Sequence, residues 1–243
     1  MLIKPYKKLS FVYDFLYKSN NIFYKNYLSL IKEMVRENNI NNPKILDIAC
    51  GTGILINKLR KDSLFKKGVI EGVDSSKEIL TLAKNKNKKI KFYNQEFTSL
   101  NTGKKYDIIL STFDSINYIT TIKKLELSFN KIFHHLENNG FFIFDFNTPY
   151  KKINKPFTNN NIIFSNKITN NYWNTEIKIM EGIRVYKEQH RERLYFFEEI
   201  KKCLKKNGFK IKETYCNSIN TKKTETKKCS RIIVIAKKIY YKD

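Results

Sequence analysis

One aspartate and two glycines carry the clearest chemical signal in this sequence. Asp47 lies within the apolar run 45–49, and Gly51 and Gly53 follow shortly after it. Two glycines separated by one residue allow a tight turn whose backbone approaches a ligand closely. A dinucleotide-binding loop would need a third glycine where Ile56 stands, so a pyrophosphate site is disfavoured. A carboxylate beside the turn repels phosphates and suits a cationic ligand.

A second carboxylate follows about one strand–helix unit later. Asp74 ends the apolar segment 68–74, which is the position where an acidic side chain binds ribose hydroxyls. The alternative is an ordinary turn with strand-ending aspartates, and the two features taken together disfavour it. The pair predicts a site for a nucleoside ligand that carries a positive charge.

The chemistry-bearing residues require a scaffold, and the sequence predicts alternating strands and helices for it. Each predicted strand is an almost continuous apolar run, which is typical of a parallel sheet covered on both faces. The strand ends would then share one edge, where ligands bind. Two helices are predicted within 6–37. The core strands are predicted at 45–49, 68–74, 90–94, 106–112 and 141–147, and the intervening helices at 54–61, 75–86 and 122–137.

The pattern changes after Pro149. Residues 157–190 are polar, rich in asparagine and partly alternating, which favours an antiparallel meander. Beyond the meander, a helix is predicted at 195–206, strands at 209–214 and 232–236, and a solvated loop at 221–230.

Composition adds weaker constraints. The chain has 243 residues and a formal net charge of +24, from 47 Lys and Arg against 23 Asp and Glu. Such a charge favours phosphate-rich partners, but the lysines are scattered, so nucleic-acid binding is possible without being favoured. No apolar run is long enough for a membrane span, and the N-terminus does not have a signal-peptide pattern. The spacing of the four cysteines predicts neither a disulfide framework nor a metal site, which favours a cytoplasmic location. These cysteines are Cys50, Cys203, Cys216 and Cys229.

Several segments resemble the motifs of class I methyltransferases, which use S-adenosylmethionine. Motif I has its counterpart in ILDIACGTGIL and the ribose-binding motif in EGVDSSKEIL. The acidic element that meets adenine is similar to YNQEF, and the fourth- and fifth-strand motifs are similar to YDIILSTFDSINYI and FFIFDFN. Two further segments, YDFLY and HRERLYFFEEIKKCLKKNGFKI, resemble the corresponding segments of bacterial members of this family. The resemblance covers residues 6–238. It implies a Rossmann-like, doubly wound α/β fold with a mostly parallel seven-stranded sheet, an antiparallel last strand and a small antiparallel β insertion.

The resemblance also implies a cofactor site for S-adenosylmethionine. Asp47 would engage the amino group, Asp74 the ribose, and Glu96 the adenine, although the family more often has Asp at that position. Tyr13 would fold over the cofactor, or would be a core aromatic residue. The full set of implied cofactor-binding residues is Tyr13, Asp47, Ala49, Gly51, Gly53, Asp74, Ser75, Ile79, Glu96, Phe97, Phe113, Asp114 and Ser115.

Residues that act on the methyl acceptor are more weakly marked, because the cofactor supplies the reactive carbon. His190, two residues after Glu188, resembles the histidine of methyltransferases that act on amino sugars, and it is our candidate acid or base; a structural histidine is the alternative. Tyr118, Tyr172 and Trp173 are candidate acceptor-binding residues, and the last two would equally suit a sheet core. The sequence has no metal-ligand cluster, and no motif for methylating the exocyclic amino groups of bases.

The sequence therefore predicts a cytoplasmic methyltransferase that moves a methyl group to the nitrogen or oxygen of a small molecule, as a monomer or homodimer. Three units are predicted: residues 1–149 with N-terminal helices and the cofactor-binding core, 150–194 as an insertion that roofs the acceptor pocket, and 195–243 completing the core sheet. The alternatives are a methyltransferase directed at RNA or the ribosome, and a non-catalytic protein that binds S-adenosylmethionine.

Overall fold

The computed structural model describes residues 1–9, 21–153, 156–159, 161–218 and 228–239. The helices are α1 Asn21–Glu37, α2 Ile54–Lys61, α3 Lys77–Lys86, α4 Ile122–His135 and α5 Phe197–Lys206. The first strands are β1 Leu2–Ile3, β2 Lys44–Ile48, β3 Val69–Asp74, β4 Lys91–Asn94, β5 Tyr106–Ser111 and β6 Leu136–Asn147. The later strands are β7 Phe157–Asn159, β8 Ile162–Thr169, β9 Tyr172–Glu181, β10 Arg184–Arg193, β11 Phe209–Cys216 and β12 Arg231–Lys238.

The larger sheet has seven strands in the order β11-β12-β6-β5-β2-β3-β4. Strands β2 to β6 pair in parallel, whereas β12, the last strand of the chain, is antiparallel to both of its neighbours. The order reverses between β2 and β5, so the loops after these strands diverge and leave a crevice at their carboxyl ends. This arrangement confirms the predicted fold class.

Helices cover both faces of this sheet, as its apolar strands require. Successive residues of a strand point to opposite faces, and β5 shows the division. Ile109 packs with Phe129 of α4 and Leu204 of α5. Ile108 belongs to a second cluster that contains Ile31 of α1 together with apolar residues of α2 and α3.

The junction between α4 and β6 differs from the sequence prediction. The helix was predicted to reach residue 137 and the strand to begin at 141, but α4 ends at His135 and β6 begins at Leu136. Asn139 has a φ of 63°, which bends the strand without ending it. A Cβ on Gly140 would lie 3.0 Å from the carbonyl oxygen of Glu137, a tight contact that favours glycine in this bend. A polar Asn-Asn-Gly segment thus lies inside a strand rather than in a turn.

The smaller sheet contains the predicted meander and an unpredicted strand. Its order is β1-β10-β9-β8-β7, and β7 to β10 pair in antiparallel fashion. Strand β1 pairs in parallel with β10, with Leu2 opposite Lys187 and Ile3 opposite Glu188. The start of the chain therefore joins the insertion sheet, whereas the sequence analysis grouped it with the cofactor-binding core.

A disulfide links Cys216 to Cys229, with 5.4 Å between the Cα atoms, so the expectation of no disulfide is wrong. Cys216 ends β11 and Cys229 precedes β12, and antiparallel pairing of these strands brings the two together. Cysteine spacing therefore gives no basis for assigning a reducing compartment. Cys50 and Cys203 are free and buried. Among the described residues, no helix is long and apolar enough to cross a membrane, and no cluster of side chains could hold a metal ion.

Candidate active site

A first cavity of about 370 Å³ opens at the carboxyl ends of β2, β3 and β5. Because the predicted cofactor residues follow these strands, parallel pairing brings most of them to this one cavity. Those that line it are Asp47, Ala49, Gly51, Asp74, Ser75, Ile79, Glu96, Phe97, Phe113 and Ser115. Tyr13 lies outside the described residues.

The loop after β2 is held in a left-handed backbone conformation. Ala49, Gly51 and Gly53 have φ values of 57°, 55° and 76°. A Cβ on Gly53 would lie 2.9 Å from the side chain of Asn87, so this glycine lets the loop approach α3. Gly53 precedes α2 and does not line the first cavity, which differs from its implied role.

The side chain of Asp74 joins the loops after β2 and β3. Its Oδ2 accepts a hydrogen bond from the Gly51 N–H (3.0 Å), and its Oδ1 accepts one from the Ser76 N–H (2.9 Å). Burial raises the pKa of this carboxyl, although the backbone donors oppose the rise. Ser76 in turn caps α3, since its Oγ accepts from the Ile79 N–H at 3.3 Å. Asp74 is thus fixed at the cavity wall.

Asp47 is a strongly perturbed carboxyl group of the first cavity. It is only 1% exposed, and its Oδ1 has no hydrogen-bond partner within the part of the chain that the structure describes. Burial, together with the nearby Asp74, raises its pKa to about 8. A buried oxygen without a partner is rare in a folded protein and indicates a ligand that supplies a donor or a positive charge. S-adenosylmethionine carries an ammonium and a sulfonium, so the residues present fit this cofactor.

Asp145 of β6 fixes the loop after β5. Its carboxylate accepts hydrogen bonds from the backbone N–H groups of Phe113 (2.6 Å) and Asp114 (2.9 Å) and from the hydroxyl of Tyr27 (2.7 Å). It also pairs with Arg231 at 3.0 Å. Phe113 and Asp114 both have positive φ values, of 59° and 54°, so these bonds hold a backbone shape that non-glycine residues rarely adopt.

Asp114 takes a different position from the one that the resemblance implies. Its carboxylate pairs with Arg231 (2.8 Å), accepts from the Asn147 side chain (2.6 Å) and lies 3.7 Å from the Lys151 ammonium. It lines a second cavity and not the first. The left-handed backbone at this residue turns the side chain toward Arg231.

The second cavity has a volume of about 420 Å³ and adjoins the first. Tyr6, Phe113 and Tyr118 line both cavities, so these three rings form the boundary between them. The other residues that line the second cavity are Phe23, Asp114, Lys151, Glu192, Asn217, Ser230 and Arg231.

His190 lies behind this boundary rather than in either cavity. It is buried, and its Nδ1 lies 2.9 Å from the Tyr118 hydroxyl, while its Nε2 lies 3.3 Å from Oε2 of Glu188. A carboxylate only accepts hydrogen bonds, so we assign the proton of the neutral ring to Nε2, which leaves Nδ1 to accept from Tyr118. The Tyr6 hydroxyl donates to that of Tyr118 at 2.8 Å. The four side chains form one directed chain from the cavity boundary to Glu188.

Glu188 also binds the start of the chain. Its oxygens accept from the backbone N–H groups of Tyr6 (2.7 Å), Lys8 (2.6 Å) and Leu9 (2.9 Å). Burial raises the pKa of this carboxyl, but the bonds from His190 and from these backbone groups outweigh burial and hold the pKa below its usual value. Glu188 therefore stays ionised at neutral pH and positions both Tyr6 and His190.

Tyr172 and Trp173 line neither of the two cavities. Trp173 is 5% exposed within the smaller sheet, and its Nε1 donates to Thr175 at 2.9 Å. The ring of Tyr172 packs against the guanidinium of Arg191 at 4.0 Å. The buried Trp173 thus matches the sheet-core alternative, whereas Tyr172 is only partly buried, and neither residue lines the cavity that would hold the acceptor. Of the predicted acceptor residues, the structure brings only Tyr118 to the cavities.

Comparison with known proteins identifies the family. A family model described as a methyltransferase domain matches residues 45–140. The fold superimposes on an S-adenosylmethionine-dependent methyltransferase from Clostridium acetobutylicum with a TM-score of 0.82 and 30% identity, covering 97% of this chain and 99% of that one. A putative methyltransferase of Geobacillus sp. is 26% identical over 96% of this chain and 99% of its own length. An amino pentose methyltransferase of calicheamicin biosynthesis from Micromonospora echinaspora, solved with S-adenosylmethionine bound, shares the fold with a TM-score of 0.73 at 14% identity, covering 93% of this chain and 96% of that one.

The shared motifs, the nearly full-length match to the Clostridium acetobutylicum protein and the first cavity agree with one another. The chain belongs to the class I S-adenosylmethionine-dependent methyltransferases, and S-adenosylmethionine is its methyl donor.

Proposed function

We propose that the protein transfers a methyl group to the nitrogen or oxygen of a small molecule held in the second cavity. The observation that carries this proposal is the boundary shared by the two cavities, which consists of Tyr6, Phe113 and Tyr118. An acceptor in the second cavity would meet the first cavity across these three rings. A volume of about 420 Å³ lies within the usual range for small-molecule sites. The likeness to an amino pentose methyltransferase supports a small acceptor.

The residues of the first cavity would bind and orient the methyl donor. Asp47 would face its positive end, Asp74 would accept hydrogen bonds from the ribose hydroxyls, and Glu96 and Phe97 would lie beside the adenine. When bound, S-adenosylmethionine supplies a methyl carbon activated by the attached sulfonium. Phe113, which Asp145 holds in place, would orient the donor against the acceptor and help to exclude water.

The chain of side chains behind the boundary would remove a proton from the acceptor. Tyr118 would accept that proton at its hydroxyl oxygen while passing its own to Nδ1 of His190. The resulting imidazolium would be stabilised by the ionised Glu188 beside Nε2. A base that is oriented by a third group is a common way to activate a weak acceptor. His190 would thus act through Tyr118, whereas the sequence analysis expected it to act directly.

The cavities offer less support for an RNA acceptor. Lys124, Lys151 and Arg231 are the cationic residues among the described ones that line the two cavities. Lys151 and Arg231 both face Asp114, so their charge is already partly neutralised. Phosphate recognition needs a surplus of basic groups near the reacting position.

Methyl transfer from isotopically labelled S-adenosylmethionine tests the proposal. The wild-type protein would be offered small amines, small alcohols and total RNA, with binding of the donor measured in parallel by calorimetry. We expect label in a small molecule and a loss of turnover of about 10²-fold or more in Tyr118→Phe. Tyr172→Phe makes the same chemical change away from both cavities and should keep full activity. Label that enters RNA alone, and falls steeply with salt, would refute the proposal.

A further inference from the structure

Three carboxyl groups and two cations cluster at the second cavity, so the cluster is negative only when all three carboxyl groups are ionised. Asp114 and Asp145 share the guanidinium of Arg231, at 2.8 and 3.0 Å, and Lys151 lies 3.7 Å from Asp114. Glu192 lines the same cavity as a third carboxyl group. In the described part of the chain, the ion pairs of this cluster join the two cations to Asp114 and Asp145 and leave Glu192 out.

Within the described residues, Glu192 interacts with Asp114 and Asn147, but one of its carboxyl oxygens is unsatisfied. The residue is 7% exposed, and Oε2 has no hydrogen-bond partner among the residues that the structure describes. Burial and the charge of the neighbouring Asp114 together raise the pKa of this carboxyl to about 8, against the opposing effect of Lys151, so it is largely protonated at pH 7. Leaving a buried carboxyl oxygen unpaired destabilises the folded protein. A ligand that supplies a positive donor would remove this cost.

We infer that the methyl acceptor is an amine, which enters the second cavity as an ammonium ion and docks on the carboxylate of Glu192. The inference rests on the proposed function, since it names the class of acceptor for that site. An ammonium supplies the missing donor and the charge that favours ionisation of Glu192. An anionic acceptor would be repelled by Asp114, and a neutral alcohol would not favour ionisation of Glu192.

The aromatic boundary suits the same ligand. Tyr6, Phe113 and Tyr118 present ring surfaces between the two cavities, and the faces of aromatic rings attract cations. An amine that docks on Glu192 therefore meets a second stabilising surface where the cavities join. Neither the carboxyl group of Glu192 nor the aromatic rings would favour an alcohol to the same extent.

The reaction of such an acceptor balances within the site. The ammonium nitrogen, held by Glu192, gives one proton to the Tyr118 hydroxyl, which passes its own proton to Nδ1 of His190, and the nitrogen regains its lone pair. That pair forms the bond to the methyl carbon while the carbon–sulfur bond breaks, and the electrons of the broken bond stay on sulfur. The acceptor leaves as a methylated ammonium ion, and the donor leaves as the neutral thioether S-adenosylhomocysteine.

Matched amine and alcohol probes test the inference directly. Protein saturated with S-adenosylhomocysteine would be titrated at pH 7 with benzylamine and with benzyl alcohol. The wild-type protein should bind the amine about tenfold more tightly or better, because hydrogen bonds to charged groups are stronger than those to neutral ones. Glu192→Gln should lose this preference while keeping its affinity for the alcohol and for S-adenosylhomocysteine. Glu176→Gln, in the same sheet but outside both cavities, should keep the preference.

The wild-type comparison does not depend on the folding of any variant. Equal binding of the two probes, or no binding of either, overturns the inference, as does a preference that survives in Glu192→Gln. Turnover measurements distinguish failure of the amine assignment from failure of the proposed function. If labelled methyl groups appear on alcohols and on no amine, a small-molecule methyltransferase remains and the amine assignment falls. If label appears only in RNA, both proposals fall.

Discussion

Asp47 makes the binding of S-adenosylmethionine depend on pH in a way that can be calculated. Its pKa of about 8 means that this carboxyl is mostly protonated at pH 6 and pH 7 in the cofactor-free protein. A cationic ligand favours the ionised form, so binding should release a proton. The ionised fraction rises about ninefold between pH 6 and pH 7, which corresponds to about 1.3 kcal/mol of binding free energy. The amino group of the ligand titrates at about 7.7–8.0, so it changes little in this interval.

Calorimetric titration at pH 6 and pH 7, in buffers with different ionisation enthalpies, measures the affinity and the released proton together. We expect the dissociation constant to fall about ninefold from pH 6 to pH 7, with nearly one proton released. Asp47→Asn should bind more weakly at both values and show no pH dependence in this interval. Glu96→Gln, a change in the same cavity, should keep the dependence even if it weakens binding. A wild-type affinity that is the same at both values, with no proton released, would refute the argument.

Asp47→Asn should weaken cofactor binding, but it should stabilise the cofactor-free folded protein at high pH. A carboxyl whose pKa is raised from 3.8 to about 8 stabilises the folded protein fully only below about pH 4, and this contribution is lost as the pH rises through 8. Asp47→Asn does not ionise and keeps its stability. The cofactor-free variant should therefore melt above the wild-type protein at pH 8, by an amount that shrinks toward pH 5. A variant that melts below the wild-type protein at pH 8 would contradict this sign.

Four further outcomes follow from the site. Asp74→Asn should weaken binding of S-adenosylmethionine by about 1–3 kcal/mol in calorimetry, since one carboxylate oxygen that accepts a backbone N–H becomes a donor. His190→Gln should lower kcat by about 10²-fold in the labelled-methyl assay and leave the KM for S-adenosylmethionine unchanged, because His190 contacts Tyr118 and not the first cavity. Arg231→Lys should lower the free energy of unfolding in urea by about 1–3 kcal/mol, because one ammonium replaces a guanidinium that bridges a buried and a partly buried carboxylate. Reducing the disulfide should lower the free energy of unfolding by about 3 kcal/mol, and Cys216→Ser combined with Cys229→Ser should remove the effect of the reductant.

The first cavity could be predicted from the sequence because its determinants are local. Asp47 and Asp74 each end an apolar run, and parallel pairing of β2 with β3 is enough to place the two carboxylates at one edge. Gly53 and Asp114 show the limit of such reasoning. Both lie in the expected loops, but the left-handed backbone at each residue decides which way it faces, and the sequence pattern does not specify that angle.

The second cavity depends on contacts between distant parts of the chain. Tyr6 reaches it because β1 pairs with β10, in a register that places Ile3 opposite Glu188. A strand of two residues has no periodicity from which pairing could be predicted. Glu192 was visible in the sequence only as one charge among several, and alternation along β10 did not reveal that it faces a cavity rather than solvent. These residues became identifiable only once their burial and hydrogen bonds were known.

Among the described residues, each cavity contains one buried carboxyl group with an unpartnered oxygen, Asp47 in the first and Glu192 in the second. Each has a pKa near 8, for the same two reasons of burial and a neighbouring aspartate. Burying such groups destabilises a protein unless a ligand compensates for them. A donor with a positive charge would do so in the first cavity, and an ammonium acceptor in the second. With a chain charge of +24, long-range attraction does not bring cations to the protein. The local carboxylates must therefore provide recognition within the roughly 8 Å over which charges act at physiological salt.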